Sequence, residues 1–179
     1  MAIKSAKTSK TKARTTAKSA RSTKRSALDI GSKAPNVSLP ALKGTFKLNE
    51  AKGQKVVLYF YPKDDTSGCT KEACTFQENL AAFKKAGVTV IGISKDNLVS
   101  HEKFAKKYKL NFNLASDEDT KVAGAFGSWV EKSMYGRKYM GMDRSTFLID
   151  GKGVVQGVWR KVKVPGHVEE VLAAAKKLK

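Results

Sequence analysis

Apolar positions along this chain switch between two periods, and the switches mark its elements. Lys55 to Tyr61 is an almost unbroken run of apolar, largely β-branched and aromatic residues, and Val88 to Ser94 is a second. Such runs predict strands buried on both faces. Between them Ala73, Phe76, Leu80 and Phe83 recur at spacings of three and four, which predicts one helix closing at Gly87. Leu98 to Leu110 repeats the helical spacing, with Phe104, Ala105 and Tyr108 on one face, and Asp117 to Phe126 predicts a shorter third helix. Ser145 to Asp150 and Val154 to Val162 read as strands joined by the turn Asp150-Gly-Lys-Gly153, a hairpin. Val168, Val171, Leu172, Ala175 and Leu178 mark a last amphipathic helix after Pro165-Gly166. Near the start, Ser32 to Pro35 and Val37 to Pro40 read as extended edge segments, where proline is tolerated. Strands alternating with helices, then a hairpin and a helix, define an α/β protein. The layout is that of a thioredoxin-like fold, a central mixed sheet with helices on both faces.

Composition narrows the class. At 179 residues, with 41% apolar and 28% charged, the chain fits one soluble domain with a sizeable core. No apolar run approaches the roughly 18–20 residues that cross a membrane, and the first residues lack the apolar stretch of a secretory signal. The expectation is a cytoplasmic protein with no membrane partner. Net charge is +19 and unevenly spread: residues 1–27 hold nine Lys/Arg and no Asp/Glu. That segment is a Lys/Arg/Ser/Thr/Ala tail with too little apolar surface to offset its ordering entropy, so disorder is expected, with the folded domain spanning 28–179. Three readings of the tail stand: a solvating tail, a plastid-type transit peptide, or a histone-like arm on nucleic acid, placing the protein at a nucleoid or nucleus.

The only two cysteines, Cys69 and Cys74, lie five positions apart. Two cysteines cannot staple a disulfide-dense secreted domain. A zinc site is disfavoured because the only histidines, His101 and His167, are remote from them in sequence. Cys69 follows a strand and opens a helix, where unpaired N–H groups and the helix dipole favour an anion, and the thiolate is the reactive form. Thr66 can orient a substrate, Pro62 can cover the site, and Arg144, just before a strand, can reach the thiolate and stabilise a developing oxyanion. The N–H groups of Gly68 and Cys69 would add donors. Cys74 either captures what Cys69 becomes or is a core thiol on the same helix.

Pro62-x-x-x-Thr66-x-x-Cys69 resembles the active-site motif of peroxiredoxins, and Cys74 five residues on resembles their bacterioferritin-comigratory-protein or peroxiredoxin Q subgroup. Phe126-Gly-Ser-Trp129, Lys132 to Asp150 and Gly166 to Leu172 are also similar to that subgroup. The resemblance implies a thiol-dependent peroxidase in which Cys69 is peroxidatic, Cys74 resolving, and Thr66, Arg144 and Pro62 complete the catalytic set. It implies peroxide substrates, a thioredoxin-like reductant, a monomer, and no metal, haem or flavin. Ser67 departs from the subgroup, which carries proline there, and removes a backbone restraint from the turn. Two rivals stand beside this reading. One is a general thiol–disulfide oxidoreductase, for which Cys-x-x-Cys would be expected. The other is a nucleic-acid-associated antioxidant protein held by its tail.

Other residues carry structural expectations. His101, beside Glu102 and Lys103, is expected to face solvent, and His167 to pack or cap at the start of the last helix. Asp64 and Asp65 are expected to be local turn-formers. Trp129, Tyr135 and Tyr139 either pack under a loop or line a substrate mouth or docking surface.

Overall fold

The structure, a computed structural model, describes residues 28–178; the tail readings for 1–27 lie outside the described residues. In chain order the elements are β1 (Ser38–Ala41), β2 (Gly44–Lys47), a 3-10 turn (Leu48–Ala51), β3 (Lys55–Phe60), α1 (Ser67–Glu78), α2 (Leu80–Lys85), β4 (Val88–Ser94), α3 (Leu98–Tyr108), β5 (Asn113–Ser116), α4 (Lys121–Ala125), β6 (Trp129–Met134), β7 (Arg137–Met142), β8 (Ser145–Ile149), β9 (Val155–Trp159) and α5 (His167–Lys177). Among the described residues, seven strands form one mixed sheet in the order β2-β1-β5-β4-β3-β8-β9, while β6 and β7 pair only with each other. β3, β4 and β5 run parallel to their neighbours in that set, and β8 lies antiparallel to β3.

The unbroken apolar run of β3 follows from its central place. Val57, Tyr59 and Tyr61 enter a core closed by Phe76, Leu80, Phe83, Phe104, Val168 and Val171 from the helices. Val56, Leu58 and Phe60 enter a second core closed by Phe46, Leu48, Ala123 and Phe126. A strand covered on both faces has no side for polar residues. Gly92 on β4 is required by close packing: a Cβ there would lie 2.7 Å from Tyr59 Oη and from Leu114 Cδ2.

Several expectations need correction. The single helix expected from Ala73 to Gly87 is two, α1 and α2, broken at Asn79, whose side-chain amide donates to the Thr75 carbonyl at 3.0 Å. The third helix is only Lys121–Ala125, because Asp117 stands outside it and its carboxylate accepts from the N–H groups of Val122 and Ala123. β1 is not an edge strand, since it lies between β2 and β5. Its pairing with β5 is limited to Ala41 with Ala115, so Pro40 interrupts no ladder on that side. The final hairpin and helix are as expected, with β9 ending at Trp159.

Candidate active site

The loop between β3 and α1 carries Pro62, half-buried, and Thr66, the N-cap of α1. α1 is set in place by Ala73 and Phe76, which are fully buried, Phe76 stacking on Tyr59 with ring centroids 4.5 Å apart. Cys69 is 2% exposed, in the first turn of α1. The first intrahelical bond runs from Thr70 N–H to Thr66 C=O at 2.8 Å. Helix geometry therefore leaves the N–H groups of Ser67, Gly68 and Cys69 without intrahelical acceptors, a positive end beside the sulfur. The Thr66 hydroxyl donates to the Lys63 carbonyl at 3.1 Å, which closes the turn.

Arg144 sits between β7 and β8, and its Nη2 donates to Cys69 Sγ at 3.2 Å. A Cβ at Gly68 would lie 3.3 Å from that Nη2, so glycine lets the guanidinium close over the helix. The other arm, Nη1, pairs with Glu72 Oε2. Glu72 is wholly buried, and burial pushes its carboxyl up to about 7, with Arg144 pulling the other way. Burial also works against the charge of Arg144, but Glu72 and Cys69 outweigh it and hold the guanidinium above its ordinary range. Sequence reasoning missed Glu72. The signal was its place on the inner face of α1, between Cys69 and Phe76 at helical spacing.

Cys74 lies on the same helix, half-buried, and both thiols are free. Burial pushes the Cys74 thiol up, and the charge of Glu78 adds to this. Residues five apart in an α-helix have Cα atoms roughly 8.7 Å apart. A disulfide needs about 4.4–6.8 Å. The intact helix keeps the two sulfurs from bonding.

The loop is gripped from outside α1. Asp64 is buried: its Oδ1 accepts from Tyr61 Oη at 2.7 Å, and its Oδ2 accepts from Ser100 Oγ at 2.8 Å and lies 2.8 Å from His101 Nδ1. His101 Nε2 meets the Ala115 carbonyl at 3.2 Å, and the side chain is wholly buried. The expectation of a solvent-facing His101 is thus overturned. It shares the inner face of α3 with Phe104, and Asp64 is a buried acceptor hub. Asp65 takes a left-handed φ of 54° and bonds Lys107 and Tyr108, also on α3.

The remaining candidates fall elsewhere. His167 packs as expected, its Nε2 2.8 Å from Thr146 Oγ1. Tyr135 and Tyr139 stand exposed on the β6–β7 hairpin, Tyr135 at 97%, and so are not packed under a loop. Trp129, at the base of that hairpin, is half-buried, with Lys95 Nζ 5.9 Å above its ring.

A mixed sheet presenting a buried thiol at a helix N-terminus, beneath a guanidinium from a distant loop, defines a thiol-based redox enzyme of thioredoxin-like fold. Comparison with known proteins narrows the class. The model of the AhpC/TSA family matches residues 30–158. The chain is 52% identical to a bcp peroxiredoxin of Coxiella burnetii over 82% of this chain and 97% of that one. It is 47% identical to peroxiredoxin Bcp of Bacillus subtilis over 83% of this chain and 96% of that one. The solved bacterioferritin comigratory protein of Xanthomonas campestris, studied for its alkyl peroxide reduction, superposes with a TM-score of 0.77 at 41% identity. That match covers 83% of this chain and 96% of the Xanthomonas chain. The chain belongs to the AhpC/TSA family, within its Bcp/peroxiredoxin Q peroxiredoxins, and is a thiol-dependent peroxidase.

Proposed function

We propose that Cys69 is the peroxidatic residue, Cys74 the resolving one, and that Thr66, Pro62 and Arg144 complete the site. The observation that carries this is the Arg144 Nη2 to Cys69 Sγ contact at 3.2 Å, at the positive end of α1. The thiolate of Cys69 attacks one peroxide oxygen and the O–O bond breaks. Sulfur is oxidised by two electrons to sulfenic acid, and the leaving oxygen takes a proton to depart as water or alcohol. Arg144 and the free N–H groups stabilise the negative charge as it moves from sulfur to oxygen. Glu72 aims Arg144, Pro62 limits water, and Thr66 turns its hydroxyl toward the peroxide. The first turns of α1 then unwind, and Cys74, after losing its proton, attacks the sulfenic sulfur. The S–S bond forms and water leaves. A dithiol protein of the thioredoxin kind restores both thiols and takes up the disulfide.

The substrates are hydrogen peroxide and organic hydroperoxides. Support for the latter comes from the alkyl peroxide reduction studied in the Xanthomonas relative. No metal, haem or flavin enters these steps. The protein acts as a monomer in a compartment that holds such a reductant, the cytoplasm. The test is thioredoxin-coupled peroxide turnover by wild type, Cys69→Ser and Cys74→Ser. Cys69→Ser should be inactive, and Cys74→Ser should react once per molecule and then stall. Steady turnover by Cys69→Ser would end the assignment, and efficient insulin reduction by wild type would favour the general oxidoreductase.

A second reading concerns residues 1–27, a segment with nine Lys/Arg and no Asp or Glu in its sequence. They tether the domain to nucleic acid as a local protector. Duplex DNA binding that falls steeply with salt and is lost on deleting 1–27 supports this; binding indifferent to the deletion opposes it.

A further inference from the structure

The buried group under the catalytic loop belongs to none of the steps above, yet it is fully wired. Asp64 is bonded by Tyr61, Ser100 and His101, while its own N–H donates to Asp96 Oδ2 at 2.9 Å. Donor accounting fixes what the pair holds. The Ala115 carbonyl only accepts, so His101 Nε2 carries a proton. Nδ1 lies 2.8 Å from a carboxylate oxygen, so a proton also sits between Nδ1 and Asp64. Wherever that second proton rests, the pair is neutral as a unit, which suits a site with 0% and 3% side-chain exposure.

The fold places this pair where it can act on chemistry without touching substrate. Asp64 lies between Pro62 and Thr66, two members of the proposed site, and Asp65 beside it is held in a left-handed conformation by Lys107 and Tyr108. Such a φ is disfavoured for a residue with a side chain, so the neighbours must over-determine it. Apart from Tyr61, which directly follows β3, the partners of Asp64 and Asp65 lie on α3 or, for Asp96, in the connection between β4 and α3, and none lies on α1. The loop is thus fixed to a part of the molecule that does not carry Cys69 or Cys74.

We propose that Asp64 and His101 are positioning residues that lock the Pro62–Thr66 loop to α3, setting Thr66 and the start of α1 for attack by Cys69, and holding the loop alone in place while α1 unwinds. This rests on the assignment of Cys69 as the attacking thiol. The consequence is a division of labour. The peroxide step needs the lock, because a misplacement of about 1 Å can cost about 100-fold in rate. Resolution by Cys74 does not need it, because that step depends on unwinding α1, which the lock leaves free.

Stopped-flow kinetics of the full chain separate the two steps, following Cys69 oxidation and then disulfide formation. The variants are His101→Leu and the double variant Asp64→Ala/His101→Leu. His101→Leu strands a buried carboxylate and can fail to fold. The double variant removes both chargeable groups together and strands no carboxylate, at the smaller cost that Tyr61 Oη, Ser100 Oγ and the Ala115 carbonyl each lose a partner. A merely structural role would therefore be restored in the double variant along with its melting temperature. The lock predicts a folded double variant whose peroxide step is about tenfold slower or worse, with the rate of disulfide formation within twofold of wild type. A peroxide step at the wild-type rate, or both steps slowed alike, overturns the proposal. If Cys69→Ser still consumes peroxide, the assignment of Cys69 has failed, which is a different result. A long-range nitrogen correlation spectrum of His101 should show Nε2 protonated and Nδ1 either protonated or accepting a hydrogen bond, and a ring with one bare, unbonded nitrogen contradicts the lock.

Discussion

Arg144 Nη2 donates to Cys69 Sγ at 3.2 Å across 75 residues of sequence, while Nη1 of the same guanidinium holds Glu72. The fork of an arginine can serve two partners at once from one plane, and an ammonium cannot. Arg144→Lys should therefore slow the peroxide step by about 100-fold or more, on the scale of losing one oxyanion donor. The melting temperature should move less than the rate. Rapid-mixing measurement of Cys69 oxidation checks this, and a rate within threefold of wild type would count against a role for the fork.

Glu72 and His167 give the fold opposing pH dependences. Burial raises Glu72 from 4.5 to about 7. The folded chain then holds a proton that the unfolded chain has released, so the contribution of Glu72 to stability is full below 4.5 and is lost as pH rises through about 7. Burial lowers His167 from 6.5 to about 4, with Arg144 adding to this and the carboxylates Glu170 and Glu169 opposing. Its contribution is present above 6.5 and is lost as pH falls through about 4. Relative to wild type, Glu72→Gln should make stability climb more steeply from pH 4.5 to 7, and His167→Gln should make it fall more steeply with rising pH between 4 and 6.5. Urea midpoints across a pH series measure both slopes.

The Cys69–Cys74 bond requires α1 to open. Peroxide added without reductant should raise amide exchange over Ser67–Phe76 and leave the β3 and β4 amides protected. Peptide mapping should find Cys69 joined to Cys74. Glutathione on Cys69 with no such bond, or an unchanged exchange pattern, would remove Cys74 from the resolving role.

Thr66 is asked for its hydroxyl, which now bonds the Lys63 carbonyl at 3.1 Å. Thr66→Ser keeps the hydroxyl and should retain the peroxide rate within about threefold. Thr66→Val keeps the shape, removes the donor and should lose about 100-fold. Equal rates in the two variants would show that only the turn matters.

Much of this arrangement was legible where one physical cause dominates. The run at β3 is apolar because both faces of that strand are covered, and α5 shows its period because one stripe faces the sheet. The proposed site residues could be named from the sequence because their chemistry and order form a motif. What escaped depended on partners far along the chain. β5 is four residues long and exists through pairing with β4 and β1. The β6–β7 hairpin is largely exposed and carries no clean alternation. The helix break at Asn79 leaves the apolar period nearly in phase. His101 and Glu72 were misread or missed because charged and polar residues are expected outside. Their helical phase, shared with Phe104 and with Phe76, was the contrary signal.

Trapping the first intermediate tests the chemistry most directly. The Cys74→Ser variant, treated with one equivalent of hydrogen peroxide and then dimedone, should carry a single adduct by intact mass, mapped by peptide sequencing to Cys69. No adduct in a folded variant that still consumes peroxide, or a dimedone adduct on Cys74 in the single variant Cys69→Ser, would contradict attack by Cys69.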